Sequence, residues 1–588
     1  MTSPASLKDK LSRRVDNFRH QLAYIDALPQ LTVLGLLCGI AAALIIVAFR
    51  LLIKVCLLPL LESNEENFES LSTQWRFALP LIGSLVIGAC LLKLKKQHLA
   101  VSVSHVLDRL HNHQGVLPWR NVLVQFFAGA ASIVTGQSVG REGPAVHLGA
   151  GMASLLGQWL KLPNNSLRIL VSCGVAAAIA ASFNTPMAGV IFAMEVVLME
   201  YTITGFIPVI IASVVGAGIT QVVFDQHAGL ITTGVSMNSM LELPFIVLGG
   251  IIMAVVAALF QRSQLWFAKF TKHNILLRMA IIGAVTGCVA MYVPQIMGIG
   301  YDTLNQAMLG QLSWQLLLLI IAAKLFCTTL SIGLGMPGGL IGPTLMLGGC
   351  VGAVIGIAGN AIFPEQASQP TLYVLLGMAT MMAAVLNAPL AALVAILELT
   401  YNPNMIFAGM LMIVFACLTA QQVFKCNGIF MAQLRLAGTP VRSEPAQQVL
   451  SRVGVVSVMN RQFRVSRAEV NTKEAYELLD DQPLWIIIEQ VDKPKILLRA
   501  ADLATFLKQY QPTDEEINSG TITINLLEIP AQRFTLHGLH YRANLYEAHL
   551  ALSANKGEAI CVEGVSTPLR SSVMGILTKT TIENYYSR

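Results

Sequence analysis

The stretch VGREGPAVHLGAG, residues 139–151, decides how this chain folds. It places an arginine, a glutamate and a proline among glycines, inside one of the most apolar parts of the sequence. Glycine lets a ligand approach the main chain closely, and proline suits the first turn of a helix. The stretch therefore predicts a helix whose N-terminus begins at Gly-Arg-Glu-Gly-Pro within an apolar environment.

The composition around this stretch indicates a polytopic membrane protein. The chain has 588 residues, of which 54% are hydrophobic and only 12% are charged, whereas soluble proteins carry about 25% charged residues. A membrane-spanning helix requires about 20 apolar residues. The apolar runs here are uneven, which predicts broken or tilted helices. The predicted spans are roughly Leu31–Leu60, Phe77–Leu92, Val122–Val134, Leu167–Met199, Phe206–Phe224, Phe245–Phe260, Ala280–Val293, Leu316–Ile332, Thr344–Ile362, Leu372–Leu397 and Ile406–Val423.

A repeat relates the two halves of the apolar region. The segment GVAAAIAASFNTPMAGVIFAMEVV (174–197) aligns without a gap with GMATMMAAVLNAPLAALVAILELT (377–400), 203 residues later. The opening stretch also has a counterpart, because GREGPAVHLGAG (140–151) aligns with GLIGPTLMLGGC (339–350), 199 residues later. We therefore predict an α-helical membrane domain with an internal, inverted repeat, whose halves lie roughly at 31–225 and 245–435.

Two related halves that are broken by Gly and Pro at corresponding positions are typical of transporters, whose half-helices point their N-termini at the substrate. A helix N-terminus carries about half a positive charge and several free N–H groups. Tight packing through small residues is the alternative, but it gives no reason for an Arg-Glu pair between the glycines. We therefore expect an anion held by main-chain N–H groups.

These motifs resemble the CLC family of chloride channels and transporters. GREGP (140–144) matches a motif of the family, and GLIGP (339–343) is similar to its second anion-binding loop. FNTPMAGVIFAME and LNAPLAALVAILE are similar to its paired helices. The resemblance covers roughly residues 30–435. It implies a homodimer in the cytoplasmic (inner) membrane, in contact with lipid, with a pathway for chloride or other monovalent anions in each subunit.

The resemblance also implies roles for individual residues. Glu142 matches the gating glutamate, whose carboxylate occupies an anion site until it moves or is protonated. An ionisable group inside a membrane is a candidate functional group on physical grounds as well. Main-chain N–H groups of Leu340 and Ile341 match central anion ligands, and those of Arg141 to Gly143 match an outer site.

Three positions depart from the pattern of the family. Counting back from GREGP without gaps places the serine ligand of the family on Val101, with Ser102 and Ser104 as neighbours able to substitute. The tyrosine ligand falls on Phe430, which has no hydroxyl. The proton-relaying glutamate of the antiporters falls on Val196.

These departures bear on the mode of transport. Valine cannot carry a proton, so the sequence favours passive conduction through a channel of the voltage-gated class, with Glu142 as its gate. The alternative is a proton-coupled antiporter for chloride or fluoride, with Glu195 as the proton path. Its counterpart in the repeat, Glu398, favours instead a structural role for Glu195 at a helix end. His147 is interpreted as a packed histidine, with a pH sensor as the alternative.

The composition changes near residue 430, where charged residues become more frequent. We predict a cytoplasmic segment at 1–30, the membrane domain at 31–437, a linker at 438–448 and an α/β domain of two CBS-like modules at 449–588. Strands are predicted in LWIIIEQV (484–491) and AICVEG (559–564). Helices are predicted in TKEAYELL (472–479) and LYEAHLAL (545–552).

The tail raises the question of a nucleotide. In nucleotide-binding CBS modules, a Ser or Thr and an Asp three residues later hold the ribose and phosphates. Here the first module has Arg499 and Asp502 and the second has Thr578 and Thr581, so neither has both. Binding of an adenine nucleotide through Asp502 and Thr578 is therefore less favoured than a structural role. A membrane-anchored nucleotide sensor remains an alternative function of another class.

The basic segment KDKLSRRVDNFRHQ (8–21) precedes the first span, so the positive-inside rule predicts that both termini are cytoplasmic.

Other classes of protein are disfavoured. We find no nucleophile–base pair or phosphate loop, which argues against an enzyme. The ten cysteines form neither a CxxC motif nor a Cys/His cluster, so no metal or other cofactor is expected. A net charge of +6 gives no case for nucleic acid.

Overall fold

The computed structural model describes residues 21–22, 27–61, 67–224, 235–364, 368–439, 445–490, 494–510, 523–555, 557–567 and 570–586. The chain divides into two compact units. The larger comprises Leu31–Leu160 and Leu167–Val441, and the smaller comprises Met1–Gln30, Lys161–Ser166 and Arg442–Arg588.

Two details of this division differ from the predicted domains. The segment Lys161–Ser166, which the sequence placed in the membrane domain, groups with the tail. The end of the predicted linker at 438–448 overlaps a helix, Pro445–Ser451, whose first turn accommodates proline well. Residues 440–444 of that linker lie outside the described residues.

The first half of the larger unit is a succession of helices of very different lengths. They are α1 Leu28–Leu57, α2 Thr73–Leu92, α3 Val103–Asn112, α4 Trp119–Val134, α5 Glu142–Trp159, α6 Asn164–Phe183, α7 Pro186–Phe192 and α8 Ile203–Phe224, with a π-helical turn at Ala193–Leu198.

The second half follows a similar plan. Its helices are α9 Leu243–Ala268, α10 Ile275–Tyr292, α11 Tyr301–Met308, α12 Trp314–Gly333, α13 Ile341–Ile362, α14 Pro370–Leu386, α15 Pro389–Thr400, α16 Ile406–Leu418 and α17 Ile429–Ala437, with a π-helical turn at Thr419–Val423.

Two long predicted spans are each broken into two helices, as expected. Leu167–Met199 divides after Asn184 (φ 56°), and Leu372–Leu397 divides after Asn387 (φ 60°). Asparagine tolerates the left-handed conformation that ends a helix, and the proline two residues later begins the next one. The same Asn-x-Pro device therefore breaks both copies of the repeat.

Nine helical segments among the described residues are long and apolar enough to cross a membrane. This confirms a polytopic α-helical membrane protein. The segments are Leu28–Leu57, Thr73–Leu92, Asn164–Phe183, Ile203–Phe224, Met240–Lys272, Ile275–Tyr292, Trp314–Gly333, Ile341–Ile362 and Pro403–Val423.

Reciprocal contacts relate the two halves by an approximate two-fold axis. Gly140 and Gly339, which are counterparts in the repeat, form an antiparallel bridge in which each N–H donates to the other carbonyl at 2.7 Å. A contact of a residue with its own counterpart is the signature of two-fold symmetry. Helix packing is also duplicated, because a Cβ on Gly149 would lie 2.3 Å from Gly174 O, and one on Gly348 would lie 2.3 Å from Gly377 O.

The tail alternates short strands and helices. The elements are α18 Pro445–Ser451, α19 Val455–Val458, β1 Phe463–Arg467, β2 Glu469–Asn471, α20 Thr472–Glu477, β3 Trp485–Glu489, β4 Ile496–Arg499, α21 Ala500–Tyr510, β5 Thr523–Asn525, β6 Arg533–His540, α22 Leu545–Asn555, β7 Ala559–Thr567, β8 Arg570–Thr578 and α23 Lys579–Tyr586.

These elements form two modules of the same topology around one six-stranded sheet with the order β1-β3-β4-β6-β7-β8. In each module a parallel pair of strands is followed by an antiparallel pair, and β4 and β6 join the modules in antiparallel fashion. A separate antiparallel pair joins β2 to β5.

The sheet is buried on both faces, which explains the continuous apolar run of β3. Ile486 and Ile488 point into one core, and Ile487 points into another. Successive side chains of a strand alternate between faces, so a strand covered on both sides reads as unbroken hydrophobic sequence. The strands and helices predicted in this region are confirmed, and the duplicated topology agrees with two CBS-like modules.

Candidate functional site

The glycine-rich loops before α5 and α13 pack main chain against main chain. A Cβ on Gly143 would lie 2.5 Å from Gly339 Cα, and a Cβ on Gly339 would lie 2.4 Å from Gly143 N. Real Cβ atoms do not approach that closely, so the two half-helices can begin side by side only with glycine at these positions.

Glu142 is the first residue of α5 and is completely buried. Its Oε2 accepts a hydrogen bond from the main-chain N–H of Gly342, in the first turn of α13, at 3.0 Å. Gly140 and Gly342 leave room for the carboxylate, because a Cβ on either would lie 2.4 Å or 2.8 Å from Oε2. A carboxylate of one half therefore lies at the helix N-terminus of the other.

One cavity brings together most of the residues predicted to bind the anion. Its lining includes Val101, Ser102, Ser104, Gly143, Leu340, Ile341 and Phe430. These residues lie at the N-termini of four helices, α3, α5, α13 and α17. None of the described residues that line this cavity, hereafter the anion cavity, is charged. An anion in this cavity would therefore be attracted by helix ends, main-chain N–H groups and hydroxyls.

The start of α3 shows how the loop before it presents the two serines. Ser102 precedes the first residue of the helix and has φ 105°. Its Oγ lies 2.8 Å from Ser104 Oγ, so the two hydroxyls form one hydrogen-bonded pair. Val101 also lines the anion cavity. The structure thus brings all three candidate positions to the same place.

The residue before Glu142 lines a second cavity. It is lined by Arg141 together with Arg50, Tyr301, Asn184 and Asn305, among others. The Arg141 guanidinium lies over the Tyr301 ring, 5.7 Å from its centroid. Arg141 and Gly143 therefore line different cavities, and the buried Glu142 lies between them in the chain. We call the space beside Arg141 the arginine cavity.

Comparison with known proteins identifies the family of this chain. Residues 83–421 match the family described as voltage gated chloride channel. The chain belongs to the voltage-gated chloride channel family. The putative chloride channel protein ClcB-like of Ralstonia nicotianae is 30% identical over 409 residues, which are 68% of this chain and 94% of that protein. The H(+)/Cl(-) exchange transporter ClcA of Vibrio cholerae is 28% identical over 56% of this chain and 70% of its own length.

The fold is shared with solved structures at lower identity. The crystal structure of a eukaryotic CLC transporter aligns with a TM-score of 0.59 and 17% identity, over 94% of this chain and 97% of that one. The similarity extends over both units of this voltage-gated chloride channel family member, and it concerns the fold alone.

In this member of the voltage-gated chloride channel family, Glu195 and Glu398 cap each other's helices. The Glu195 carboxylate accepts hydrogen bonds from the N–H groups of Leu390 (3.2 Å) and Ala391 (2.7 Å) at the start of α15. The Glu398 carboxylate accepts from Met187 (2.8 Å) and Ala188 (2.7 Å) at the start of α7. These hydrogen bonds agree with the structural role at a helix end that the repeat suggested for Glu195.

His147 is not isolated, and its partner was missed in the sequence. His105 Nδ1 lies 2.8 Å from His147 Nε2, and both rings are buried. The two residues are far apart in the chain and lie on different helices, α3 and α5. Only their positions on two helices that begin at the same anion cavity could have suggested the contact.

Lys324 is a second functional candidate that the sequence analysis missed. It is buried in the apolar helix α12, and its ammonium donates to Ile296 O at 2.9 Å and Gly298 O at 2.7 Å. Ile299, the next residue of that loop, lies against the position where Gly342 would carry a Cβ. Lys324 therefore fixes the loop beside the carboxylate of Glu142. A lone lysine in a 20-residue apolar helix was the available signal.

The nucleotide candidates lie at equivalent junctions of the two tail modules. Asp502 is in the first turn of α21, directly after β4. Thr578 ends β8, and its Oγ1 lies 2.7 Å from Thr581 Oγ1 and accepts from Thr581 N at 3.3 Å. The Thr578 hydroxyl therefore caps α23. Among the described residues, no group of three or more His, Cys, Asp or Glu side chains could hold a metal ion.

Proposed function

We propose that this chain moves chloride or a similar monovalent anion across the cytoplasmic membrane, with Glu142 as the gate between the anion cavity and the arginine cavity. The observation that carries the proposal is the hydrogen bond from Gly342 N–H to Glu142 Oε2. That donor, at the N-terminus of α13, is one that a permeating anion would also use. Carboxylate and anion compete for it, so the anion passes when Glu142 leaves or is protonated.

In this proposal the anion ligands come from both copies of the repeat. The N–H groups at Arg141, Glu142 and Gly143 serve the outer position, and those at Leu340 and Ile341 serve the central one. Val101, Ser102 and Phe430 complete the wall of the anion cavity. Because Phe430 offers no hydroxyl, Ser102 and Ser104 supply hydroxyls to the wall of the anion cavity. Chloride is proposed as the substrate, since the two relatives above are named for it, and fluoride is the alternative.

Two modes of transport fit the gate. Passive conduction through a voltage-gated channel requires no proton path and was favoured by Val196. Proton-coupled exchange is the second candidate. It is favoured by the name of the Vibrio cholerae relative, which is a proton–chloride exchanger, and by the buried pair of His105 and His147.

The remaining assignments follow from the family. We propose a homodimer with one pathway in each subunit and with both termini on the cytoplasmic side. We assign the tail a structural role rather than that of a nucleotide sensor, since the Thr578 hydroxyl is engaged in capping α23. Binding of an adenine nucleotide to the purified protein would contradict that assignment.

The proposal is tested with purified protein in liposomes loaded with potassium chloride or potassium fluoride. After dilution into an impermeant salt with valinomycin and a protonophore, an ion-selective electrode records the efflux. Chloride efflux above that of empty liposomes supports the proposal. Efflux of fluoride alone identifies the alternative substrate, and efflux of neither anion contradicts the proposal.

A further inference from the structure

The buried histidine pair carries an inference that rests on the proposed anion transport and concerns the protons that accompany it. We propose that His147 and His105 form a proton relay that leads from the anion cavity, between α3 and α5, to the surface at the end of α3. His147 is completely buried and His105 is 6% exposed. Two buried imidazoles joined by a 2.8 Å hydrogen bond are an unusual feature for the interior of a membrane domain.

The hydrogen bonds fix which nitrogen of each ring carries the proton. Arg109 Nε–H donates to His105 Nε2 at 3.2 Å. A guanidinium can only donate, so His105 Nε2 is an acceptor and the proton of the neutral ring is on Nδ1. That Nδ1–H donates to His147 Nε2, which leaves the proton of His147 on its own Nδ1. The chain of hydrogen bonds therefore runs in one direction, from Arg109 through His105 to His147.

The inner end of this chain is an unsatisfied proton donor. His147 Nδ1 is buried and has no hydrogen-bond partner among the described residues. Gly143, one turn earlier on α5, lines the anion cavity, about 6 Å away along the helix axis. Ser104, which precedes His105, lines the same cavity. Buried polar groups of this kind are normally satisfied by water, and in this proposal water connects His147 to the anion cavity and to Glu142.

The outer end of the chain becomes progressively more exposed along α3. Asp108 and Arg109, on the turn after His105, are half-buried. His113 is exposed and its Nδ1 lies 3.6 Å from Asp108 Oδ2. Polar side chains thus follow one another at helical spacing from the anion cavity to the surface, within a helix whose other residues are largely buried.

The other charged groups near the pair are engaged elsewhere. On the π-helical turn that packs against α3, Glu195 caps α15. On α6, Arg168 forms an ion pair with Glu200 at 3.6 Å. Arg435 of α17 is exposed. His111 of α3 is hydrogen-bonded to a carbonyl of that π-helical turn, with Nε2 3.0 Å from Val197 O. Asp108, Arg109 and His113 are therefore the charged or titratable groups that act on the relay from outside.

The transfer of one proton inward balances without charging either ring. The Nδ1–H proton of His147 passes through water to the Glu142 carboxylate, which becomes a neutral acid. The Nδ1–H proton of His105 moves to His147 Nε2. A proton from the surface enters at His105 Nε2 as Arg109 withdraws. Both rings then carry their proton on Nε2, and the original arrangement returns when the rings reorient and Arg109 rebinds.

The test uses the full chain in liposomes, with a chloride electrode and a pH electrode reading together. A chloride gradient is imposed without a protonophore, and the ratio of protons to chloride is measured. His147→Gln and His105→Gln each preserve a polar side chain but cannot carry a proton. We expect both variants to retain chloride movement and to lower the proton-to-chloride ratio by at least about ten-fold, since loss of a proton-transfer group typically slows proton transfer by about 10²–10⁴-fold.

Two control variants separate the relay from general effects. His273→Gln changes an exposed histidine that is stacked on Phe270 and should leave the ratio unchanged. Glu195→Gln tests the alternative proton path, and the relay predicts an unchanged ratio for it because that carboxylate caps α15. Retained chloride movement shows that a variant is folded, and either histidine variant suffices if the other does not fold.

The outcomes distinguish this proposal from the proposed function. Chloride movement by the wild type without proton movement overturns the relay and leaves anion transport intact. An unchanged ratio in both histidine variants, or a loss confined to Glu195→Gln, also overturns it. Absence of chloride movement in the wild type contradicts the proposed function itself.

Discussion

The reciprocal caps of Glu195 and Glu398 predict that the same substitution at either site destabilises the protein by a similar amount. Replacing either glutamate by glutamine retains one carbonyl oxygen, so one of the two N–H groups keeps its acceptor. The other N–H faces an amide NH2 group, and the favourable charge at the helix N-terminus is lost. A hydrogen bond to a charged group contributes about 1.5–3 kcal/mol, and a charge at a helix end contributes about 0.3–1 kcal/mol.

Each single substitution should therefore destabilise the protein by about 2–4 kcal/mol. Because the donor distances are nearly the same at both sites, 3.2 and 2.7 Å for Glu195 and 2.8 and 2.7 Å for Glu398, the two losses should be similar. Thermal unfolding in detergent, followed by intrinsic fluorescence, measures the shift. Glu477→Gln, at an exposed position of the tail, is the control.

Two results would refute this reasoning. If only one of the two variants is destabilised, the caps are not equivalent and the two-fold argument fails. If neither variant is less stable than Glu477→Gln, the carboxylates do not hold the helix ends together.

Three further predictions concern the gate, the buried lysine and the tail. Gly342→Ala places a Cβ 2.8 Å from Oε2 of Glu142, the proposed gate. We expect faster chloride efflux with less dependence on pH. Gly218→Ala, which meets nothing within 4 Å, should behave as the wild type. Lys324→Met leaves two carbonyls without their donor, at about 1–3 kcal/mol each, partly offset because an ammonium is no longer buried; thermal unfolding should show a net loss of stability. Burial lowers the pKa of Lys495, but its hydrogen bond and charge interaction with Glu563 outweigh this and raise it; the contribution of the pair is thus fully present below the unfolded pKa of about 10.4 and is lost as pH rises through the folded pKa. Lys495→Met should therefore lower stability by about 0.2–1 kcal/mol, equally at pH 6 and pH 8. A stability difference between variant and wild type that changes between those pH values would contradict a raised pKa of Lys495.

The fold was largely predictable because its decisive features are local. GREGP marks a half-helix by residue type alone, and the two Asn-x-Pro breaks follow from the conformations that asparagine and proline prefer. The spans were less accurate at their ends. The first span was predicted to reach Leu60, but α1 ends at Leu57, because Pro59 disfavours the helical conformation of the residue before it.

Some short helices were not predicted from the sequence. α3, α11 and α17 have only 8 to 10 residues each and are too short to register as spans. They exist because tertiary packing supports them. α9 runs on to Ala268, eight residues beyond its predicted end, because Gln261 and Gln264 are buried within the protein and do not face solvent.

The site was predictable as a set of positions and not as a set of contacts. Most of the residues predicted for the anion site line one cavity, because the repeat brings both glycine loops to the same axis. The hydrogen bond between Glu142 and Gly342, and the contact between His105 and His147, join residues from different helices. No local pattern encodes such pairs. Lys324 was missed because its carbonyl partners lie in a loop before α11, on a separate part of the chain.

In the proposed mechanism, the Glu142 carboxylate closes the anion pathway by accepting the hydrogen bond from Gly342 N–H. Chloride efflux from liposomes at several pH values, for the wild type and for Glu142→Gln, tests this claim. Glutamine resembles the protonated acid and cannot compete as an anion. The wild type should release chloride faster as pH falls, and the variant should be fast at every pH. Equal rates with the same pH dependence in both proteins would contradict the claim.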